Sequence, residues 1–427
     1  MAKCNRRKFL KKCAFAAAAL ATPGIIQLGC SGSSGDADLT DLAGADRWRG
    51  DALADLTPEE MRAELADAGR RASATVHALP FGELSQLQDT GMEAAKSLGF
   101  TGSALAGSTI FIKPNFVTLG LELFGVSFDP AVGECTKPEL VAAVAEQCLA
   151  AGAAHVVIGE GAQKLQWDWT ELFFLDGNQR GGATNLQAAV DRLADIYGPE
   201  KIELQCLNAL EQWHQIPSVS PDDNVKNGIY VAKSFAEADH VISLPVMKTH
   251  QWALMTGAMK NYVGLTPTKE HGNGMSRCKL HLAYKGIQCH GVPDAGVSGS
   301  FIDIHKWRMD MGKEDFAIVD CSIALEGDGP HTAPINDGKT IHLNERNKAG
   351  QYFLLAANDL VAADMTIAAL QNIPASSVKG LQMAANIGLG ATEEIVLKGA
   401  SIDELMVSDW KKPTLLGEDF FEPVCPA

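Results

Sequence analysis

The sequence predicts an α/β protein whose sheet is largely parallel or mixed and carries helices on both faces. The first observation is that the helical segment KPELVAAVAEQCLAAGA (137–153) runs directly into the strand-like segment AHVVIGEGA (154–162). The second is that the same alternation of apolar strands and helices returns at 228–250, 314–330 and 352–371. Strands that alternate with helices are typical of βαβ units, in which neighbouring strands are parallel.

Local signals predict where the first elements of this domain lie. STIFIKPNF (108–116) predicts a strand, because its apolar and β-branched run continues until Pro114 and Asn115 interrupt it. The helix at 137–153 begins with Pro138, a residue that is favoured in the first turn of a helix. The core is therefore expected to start near the strand at 108–116.

Two stretches lack this regularity. Residues 163–227, which include the aromatic-rich WDWTELFF, predict an insertion or lid, and the glycine-rich residues 266–300 predict a long loop. Near the N-terminus, LTPEEMRAELADAGRRA (56–72) predicts a helix with a capping threonine followed by proline. The predicted organisation is a signal segment (1–30), a flexible tether (31–55), an N-terminal helical segment (56–100), a single α/β domain (101–400) and a C-terminal tail (401–427).

The charge of the chain excludes some classes of partner. The 427 residues have a formal net charge of −16, and 46% of them are hydrophobic, which is a globular composition. Residues 1–30 contain six lysines and arginines and no acid, so the charge without them is −22. Nucleic-acid binding depends on basic surfaces, so a nucleic-acid partner is not expected.

The six N-terminal positive charges belong to a pattern that resembles a twin-arginine export signal. The pattern consists of Arg6 and Arg7 followed by Phe9, Leu10 and Lys11, with a short alanine-rich apolar stretch after them. This resemblance implies interaction with the twin-arginine export machinery and a periplasmic or extracytoplasmic location.

The end of the signal segment leaves two alternatives open. QLGC, ending at Cys30 and followed by SGSSGDAD, resembles a lipoprotein box, which implies a lipid on Cys30 and attachment to a membrane. Gln27 departs from that pattern, which has an aliphatic residue at this position. Ala19-Leu20-Ala21 is an alternative cleavage site of the small-x-small type.

Ten cysteines are present, but none of them forms a C-x-x-C pair. Zinc knuckles and ferredoxin-type clusters use such closely spaced cysteines, so the spacing argues against an iron–sulfur cluster. Most of the cysteines are expected to be small buried residues.

A group of cations is predicted at the carboxyl ends of strands. The strand predicted at 240–247 is followed by Lys248 and His250, and Lys113 stands in an equivalent place after TIFI. Thr256 and Lys260 are four residues apart in a predicted short helix, so they are expected to share a face. Ligands of doubly wound folds bind beyond the carboxyl ends of the strands, so these lysines predict a pocket for a carboxylate or phosphate.

Histidines and acids could add a metal site or an acid–base pair to this pocket. Five of the eleven histidines fall between residues 250 and 305, and of these His250 and His281 are the predicted site residues. His271, His290 and His305 are expected in loops. The carboxylates considered for a divalent metal or a general base are Glu160, Asp320 and Glu326, with His281 as a further metal ligand. Asp359 is expected to be a helix cap.

Several of these segments together resemble the domain-of-unknown-function family 362. The segments are IKPNF (112–116), TKPELVAAVAEQCLAAGA (136–153), GEG (159–161), LPVMKTHQWALMTGAMKNYVGL (244–265), IVD (318–320), EGDGP (326–330) and NDLVAAD (358–364). By resemblance, the family's motif positions are occupied by Lys113, Asn115, Glu160, Lys248, His250, Lys260, Asn261, Asp320, Glu326, Asp359 and Asp364. Many members carry a cysteine-rich ferredoxin segment that this sequence lacks. A distant kinship with lactate-racemase-like proteins, which use lysine and histidine around a nickel cofactor, is a further alternative.

These observations lead to one preferred hypothesis and two alternatives. The preferred hypothesis is an exported enzyme, of isomerase or redox type, that acts on a small anionic substrate. Its predicted catalytic residues are Lys248, His250 and Lys260, and its predicted substrate-binding residues are Lys113, Asn115, Thr256 and Asn261. The alternatives are a ligand-binding lipoprotein without catalytic activity and an iron–sulfur redox protein.

Overall fold

The architecture is taken from a computed structural model, which describes residues 73–175, 177–272 and 276–414. Eleven strands form the main sheet, and two more form a small separate sheet. The strands are β1 (Ala74–Phe81), β2 (Thr109–Pro114), β3 (His155–Glu160), β4 (Ile202–Cys206), β5 (Trp213–Ile216), β6 (Ile229–Ala232), β7 (His240–Leu244), β8 (Val246–His250), β9 (Leu254–Thr256), β10 (Glu314–Asp328), β11 (Asp337–His342), β12 (Tyr352–Ala357) and β13 (Ile395–Gly399).

Helices connect most of these strands. The α-helices are α1 (Leu87–Ser97), α2 (Pro138–Ala150), α3 (Leu186–Tyr197), α4 (Lys233–Glu237), α5 (Thr268–His271), α6 (Cys278–Leu282), α7 (Val297–Asp310), α8 (Leu360–Leu370), α9 (Lys379–Asn386) and α10 (Ile402–Leu405). A six-residue 3-10 helix, Lys260–Leu265, carries part of the candidate site described below. None of the helices in the described ranges has the length and apolar character needed to cross a membrane.

The main sheet is mixed and largely parallel, which confirms the predicted fold class. Its order is β13-β1-β12-β10-β7-β2-β3-β4, with β8 and β11 attached at β10 and β9 paired with β8. The five neighbours β4, β3, β2, β7 and β10 are all parallel, and β12 is antiparallel to both β10 and β1. The carboxyl ends of the parallel strands therefore lie at one edge of the sheet, where a ligand site is expected.

Helices cover both faces of this sheet because its central strands are apolar on both sides. In β2, Ile110 and Ile112 belong to one buried cluster, whereas Phe111 between them belongs to the other. This follows from the two-residue period of a strand. The first cluster includes residues of α1, α2 and α3, and the second includes residues of α4, α7, α8 and α9.

The structure corrects several predicted boundaries. The segment 56–100 was predicted to be helical, but residues 74–81 form β1, which lies between β12 and β13 inside the main sheet. The predicted insertion at 163–227 contributes β4 to the edge of the sheet. The predicted long loop at 266–300 contains α5, α6 and the start of α7. The helix predicted at 56–72 and the signal segment lie outside the described residues.

A buried ion pair joins α7 to β10 and to the 3-10 helix. Arg308 Nη2 and Nε donate to Asp315 Oδ1 at 2.7 and 3.0 Å, and the hydroxyl of Tyr262 donates to Asp315 Oδ2 at 2.8 Å. Arg308 is 0% exposed and also donates to two carbonyl groups near α4. One carboxylate thus balances a fully buried guanidinium and positions the helix that begins at Lys260.

We expect Asp315→Ala to lower the free energy of unfolding by about 3–5 kcal/mol, because it leaves the buried charge of Arg308 without a partner. Denaturant unfolding followed by circular dichroism measures this change. Glu314→Ala is the matched control, since Glu314 is the exposed neighbour in the same strand. Equal stability of the two variants would contradict the assignment.

Candidate active site

A buried ion pair between β2 and β3 forms the floor of the candidate site. Lys113 Nζ lies 2.8 Å from Glu160 Oε1, and each residue is almost at the end of its strand. Glu160 also accepts the backbone N–H of Gly161 at 2.7 Å and that of Phe116 at 2.8 Å. Asn261 donates to the carbonyl oxygen of Lys113 at 2.7 Å. All three predicted residues therefore meet, as the parallel strand ends require.

Two glycines allow the surrounding segments to approach this ion pair. A Cβ atom on Gly264 would lie 2.8 Å from both Cε and Nζ of Lys113. A Cβ atom on Gly161 would lie 2.3 Å from Nη2 of Arg277 and 2.4 Å from the carbonyl oxygen of Gly264. The glycines of the GEG and YVGL segments are thus needed for close packing around the site.

The segment after β7 differs from its prediction. A single strand was predicted over 240–247, but β7 ends at Leu244, Pro245 interrupts it, and β8 continues from Val246 to His250. Lys248 and His250 are therefore residues of β8. Pro245 cannot donate a backbone hydrogen bond, which accounts for the break.

Lys248, one of the predicted catalytic residues, is buried against a backbone carbonyl group. Its Nζ donates to the carbonyl oxygen of Glu134 at 2.6 Å, its side chain is 1% exposed, and it is not among the residues that line the cavity. This bond joins β8 to the segment that contains Glu134, and a catalytic role for Lys248 stays a prediction.

Thr256 and Lys260 do not share a helical face. Thr256 ends β9, and Lys260 begins the 3-10 helix after a turn. Asp364 of α8 fixes this turn by accepting the backbone N–H groups of Ala258, at 2.5 Å, and Met259, at 3.2 Å. Asp359 caps α8 by accepting from the backbone of that helix, as predicted.

These elements surround a cavity of about 840 Å³. Its walls include Lys113, Asn115, Glu160, His250, Thr256, Lys260, Asn261 and His281, which are eight of the predicted site residues. The sequence did not single out two further polar residues of the wall, Arg277 and His331. Segments around residues 113, 160, 250 and 260, which are far apart in the chain, therefore line one cavity, whereas Asp320 does not line it.

Two cations of the cavity wall have no acidic partner. No carboxylate of the described residues lies within the 4.0 Å ion-pair distance of Lys260 or Arg277. Arg277 is held instead by neutral groups, because its Nε donates to the carbonyl oxygen of Thr266 at 2.8 Å and its Nη2 to Asn208 Oδ1 at 3.2 Å. Since Lys113 is balanced by Glu160, the positive charge of this part of the wall comes from Lys260 and Arg277.

The cavity lowers the pKa of these cations. Desolvation, followed by repulsion from Lys248 and Arg277, lowers the pKa of Lys260 to about 7. Desolvation also lowers the pKa of Arg277 to about 10. Lys260 can therefore be either ammonium or amine near neutral pH, which is the condition for a group that takes part in proton transfer.

Two neutral imidazoles face each other across one part of the wall. The rings of His250 and His281 are nearly parallel, with centroids 6.4 Å apart. Desolvation, and next the charge of Lys260, lowers the pKa of His250 well below its usual value and that of His281 to about 3. His250 Nδ1 accepts the backbone N–H of Trp252 at 3.1 Å, so its proton is on Nε2.

A third imidazole is paired with a carboxylate. His331 Nδ1 donates to Glu134 Oε2 at 2.9 Å, and Thr332 N donates to Glu134 Oε1 at 2.7 Å. These bonds lower the pKa of Glu134 to about 2 against the opposing effect of its burial, and desolvation lowers the pKa of His331. Neutral His331 with its proton on Nδ1 presents a basic Nε2, which is the arrangement of a general base oriented by an acid. The only feature of the sequence that could have indicated His331 is its position directly after EGDGP.

The four predicted metal ligands are not brought together. Glu160 and His281 line the cavity, but Asp320 accepts from Ser322 and from the backbone of Lys137, and Glu326 is paired with Arg346. Neither Asp320 nor Glu326 lines the cavity. Glu160 already accepts three hydrogen bonds, and the cavity wall carries unpaired cations. The structure therefore does not bring these four residues together as one set of metal donors.

The fold and the cavity define an α/β protein with a cationic pocket at the carboxyl ends of a largely parallel sheet. The family described as "Domain of unknown function (DUF362)" matches residues 110–369, and the chain belongs to this family. The thylakoid-associated protein sll1697 of Synechocystis sp. is 25% identical over 315 residues, which are 73% of this chain and 78% of that protein.

The fold is also similar to that of a solved structure. It is the lactate racemase apoprotein from Thermoanaerobacterium thermosaccharolyticum, which matches 83% of this chain and 89% of its own chain at 11% identity and a TM-score of 0.30. At this TM-score the similarity supports no conclusion about chemistry, and the kinship with lactate-racemase-like proteins stays a prediction.

We expect the amine of Lys260 to titrate near pH 7, because the folded cavity disfavours its charged form. It is mainly ammonium below this pH and mainly amine above it. Reductive ¹³C-methylation of the lysines followed by NMR measures this titration, and the resonance that disappears in Lys260→Met identifies the residue. A Lys260 resonance that stays unchanged between pH 6 and 8, which brackets a pKa of about 7, would contradict the prediction.

Proposed function

We propose that this protein is an enzyme that binds a small anionic substrate and moves a proton at a carbon next to the substrate's carboxylate. The observation that carries the proposal is that Lys260 and Arg277, which form no ion pair among the described residues, line the same cavity as three histidines whose pKa values are lowered. The volume of about 840 Å³ suits a small molecule.

The anion is bound by the two cations. Arg277 offers a planar set of donors that matches a carboxylate or phosphate, and neutral partners already fix its orientation. Lys260 adds a single positive charge. The buried atoms Asn115 Oδ1 and Thr256 Oγ1 have no hydrogen-bond partner among the described residues, which suits them to a substrate hydroxyl. A negatively charged protein with this local positive cavity favours anionic ligands.

Proton transfer is assigned to His331 and His250. His331 Nε2 takes the proton from the carbon, while Glu134 holds the ring and stabilises the imidazolium that forms. Negative charge then develops on the carboxylate side of the substrate, where Lys260 and Arg277 stabilise it. His250 Nε2–H returns a proton to the substrate. The His331 imidazolium then gives up its proton to solvent and His250 regains one from solvent, so both imidazoles end the cycle neutral. The sum is an isomerisation, since one proton leaves and one enters without a change in oxidation state.

The proposal also includes export of the protein by the twin-arginine route. The twin-arginine pattern at Arg6 and Arg7 and the lipoprotein-like Cys30 lie outside the described residues, and the proposal rests on the sequence pattern alone. On this basis the protein acts outside the cytoplasm, with or without a lipid on Cys30.

A ligand screen tests the anion site. We expect some members of a panel of 2-hydroxy, 2-oxo and 2-amino carboxylates and sugar phosphates to raise the melting temperature of the full chain. Lys260→Met should weaken their binding by about tenfold or more, because a hydrogen bond to a charged group contributes about 1.5–3 kcal/mol. Lys269→Met is the matched control, since Lys269 is an exposed lysine of nearby α5. The absence of any stabilising anion would overturn the proposal.

Solvent exchange separates an enzyme from a ligand-binding protein. We expect the bound carboxylate to gain deuterium at the adjacent carbon in D₂O, as measured by NMR. His331→Asn and His250→Asn should slow this exchange by about 100-fold or more while leaving binding intact. His342→Asn, a half-buried histidine that contacts Tyr352, is the control. Binding without exchange would leave the ligand-binding lipoprotein as the better description.

We expect the double substitution Arg6→Lys and Arg7→Lys to retain the protein in the cytoplasm, because the export machinery requires the arginine pair rather than the positive charge. Cell fractionation with immunoblotting measures this. Lys3→Arg serves as the control, and unchanged export of the double variant would refute the signal.

A further inference from the structure

A second cluster of ligand-type side chains lies apart from the cavity. It consists of the Cys289 thiol, the His290 imidazole and the Asp303 carboxylate, and one donor atom from each lies within 4.8 Å of the others. His290 Nε2 is 3.5 Å from Asp303 Oδ1, and Cys289 is a free thiol. None of the three residues lines the cavity described above.

The backbone places the first two ligands by a tight hairpin. Cys289 and Val292 exchange both of their backbone hydrogen bonds, at 3.0 and 2.9 Å. His290 and Gly291, between them, both have positive φ values, 47° and 78°, as the commonest two-residue hairpin turns require. The side chain of Asn386 donates to the carbonyl oxygen of His290 at 2.8 Å and holds the turn against α9.

The third ligand is oriented by its own partners. Asp303 lies in α7, and its Oδ2 accepts the backbone N–H of Val219 at 2.9 Å and the hydroxyl of Tyr284. Tyr284 is in turn bonded to Ser218 at 2.7 Å. Such outer hydrogen bonds orient a carboxylate and leave its other oxygen directed at the ligand it binds.

Two atoms of the cluster, Asp303 Oδ1 and His290 Nε2, make no hydrogen bond with any of the described residues. Asp303 is 4% exposed and its Oδ1 accepts no hydrogen bond from the described residues. His290 Nε2 is also buried without a hydrogen bond there, although its side chain as a whole is 12% exposed. Buried polar atoms are normally hydrogen-bonded, so these two atoms suit a ligand that both can contact.

We propose that Cys289, His290 and Asp303 bind a zinc-type divalent cation with an open fourth position. A tetrahedral zinc ion with bonds of about 2.0–2.3 Å places its ligand atoms about 3.3–3.6 Å apart, which agrees with the histidine–aspartate separation. A thiolate, an imidazole and a carboxylate suit zinc, whereas calcium and magnesium prefer oxygen ligands only. The thiol releases its proton to solvent on binding, and the two anionic ligands then balance the dication.

The metal would tie together segments that support the cavity. The hairpin of Cys289 follows α6, which carries His281, and Asp303 belongs to α7, which is joined to the helix of Lys260 through Asp315. The site does not depend on the proposed proton-transfer chemistry.

Cobalt substitution tests the site on the full-length protein. The chain is stripped with a chelator and titrated with Co²⁺, and the absorption spectrum is recorded. We expect one Co²⁺ per chain, a thiolate-to-cobalt charge-transfer band, and intense visible bands of a four-coordinate ion. Zn²⁺ should displace the cobalt. A wild-type spectrum without the thiolate band overturns the proposal, whatever the enzyme activity of the sample.

Variants identify the ligands. Cys289→Ser should abolish the charge-transfer band, and Asp303→Asn and His290→Asn should each weaken Co²⁺ binding by about 10- to 100-fold or more. His155→Asn is the matched control, since His155 also lies beside a carboxylate, Glu203, at 3.8 Å, but without a thiol. Unchanged affinity in Asp303→Asn and His290→Asn would refute the site. Failure of Cys289→Ser to fold leaves the decision to these two variants and the wild-type spectrum.

Discussion

The ion pair of Lys113 and Glu160 is the interaction on which the candidate site depends. It forms because two parallel neighbours end at the same edge of the sheet, so Lys113, the next-to-last residue of β2, directly contacts Glu160, the last residue of β3. A buried pair of this kind is stable only when its remaining polar atoms are also satisfied. Here the backbone of Gly161 and Phe116 and the side chain of Asn261 supply those bonds. The same contacts therefore fix the loops after both strands and the helix that carries Lys260.

The partners of the three buried lysines differ, and this difference distinguishes a structural lysine from one that is available to a ligand. Lys113 is neutralised by Glu160, and Lys248 is buried against a backbone carbonyl. Lys260 is different, because it lines a cavity and has no acidic partner among the described residues. Retaining an unpaired cation beside Arg277 costs free energy in the isolated protein. A bound anion would offset that cost, so the unfavourable arrangement is understandable as part of a binding site.

The sequence predicted the fold class and part of the candidate site. The residues that it did not predict were missed for a physical reason. Strand–helix alternation and the carboxyl-end rule predicted that Lys113 and Glu160 lie near strand ends, because those residues are fixed by the ends of regular elements. The break at Pro245, which puts His250 in a separate strand, was not predicted. Arg277 and His331 were missed because they come from irregular segments whose course depends on tertiary contacts, such as those with Asn208 and Glu134. β1 was missed because its segment was assigned as helical, although pairing with two partners makes it a strand of the main sheet.

Two acidic residues were predicted at the site but do not line the cavity, which is again a consequence of tertiary contacts. Asp320 and Glu326 occur in segments that a motif-based interpretation places at the site, yet both belong to β10 and are neutralised elsewhere, Glu326 by Arg346. The sequence indicates which strand a carboxylate belongs to, but the tertiary structure determines which cation forms an ion pair with it.

The pKa of Lys260 couples proton binding to ligand binding. An anion beside the ammonium stabilises the charged form, so it must raise a pKa that the empty cavity holds at about 7. By linkage, binding above this pH takes up a proton, and the affinity for the anion falls as the pH rises further. His250 and His281 differ, because their pKa values are lowered far enough that they are neutral throughout this range. In this cavity the protonation of Lys260 therefore depends on the charge of the ligand. His250 and His281 keep the neutral form that proton transfer requires.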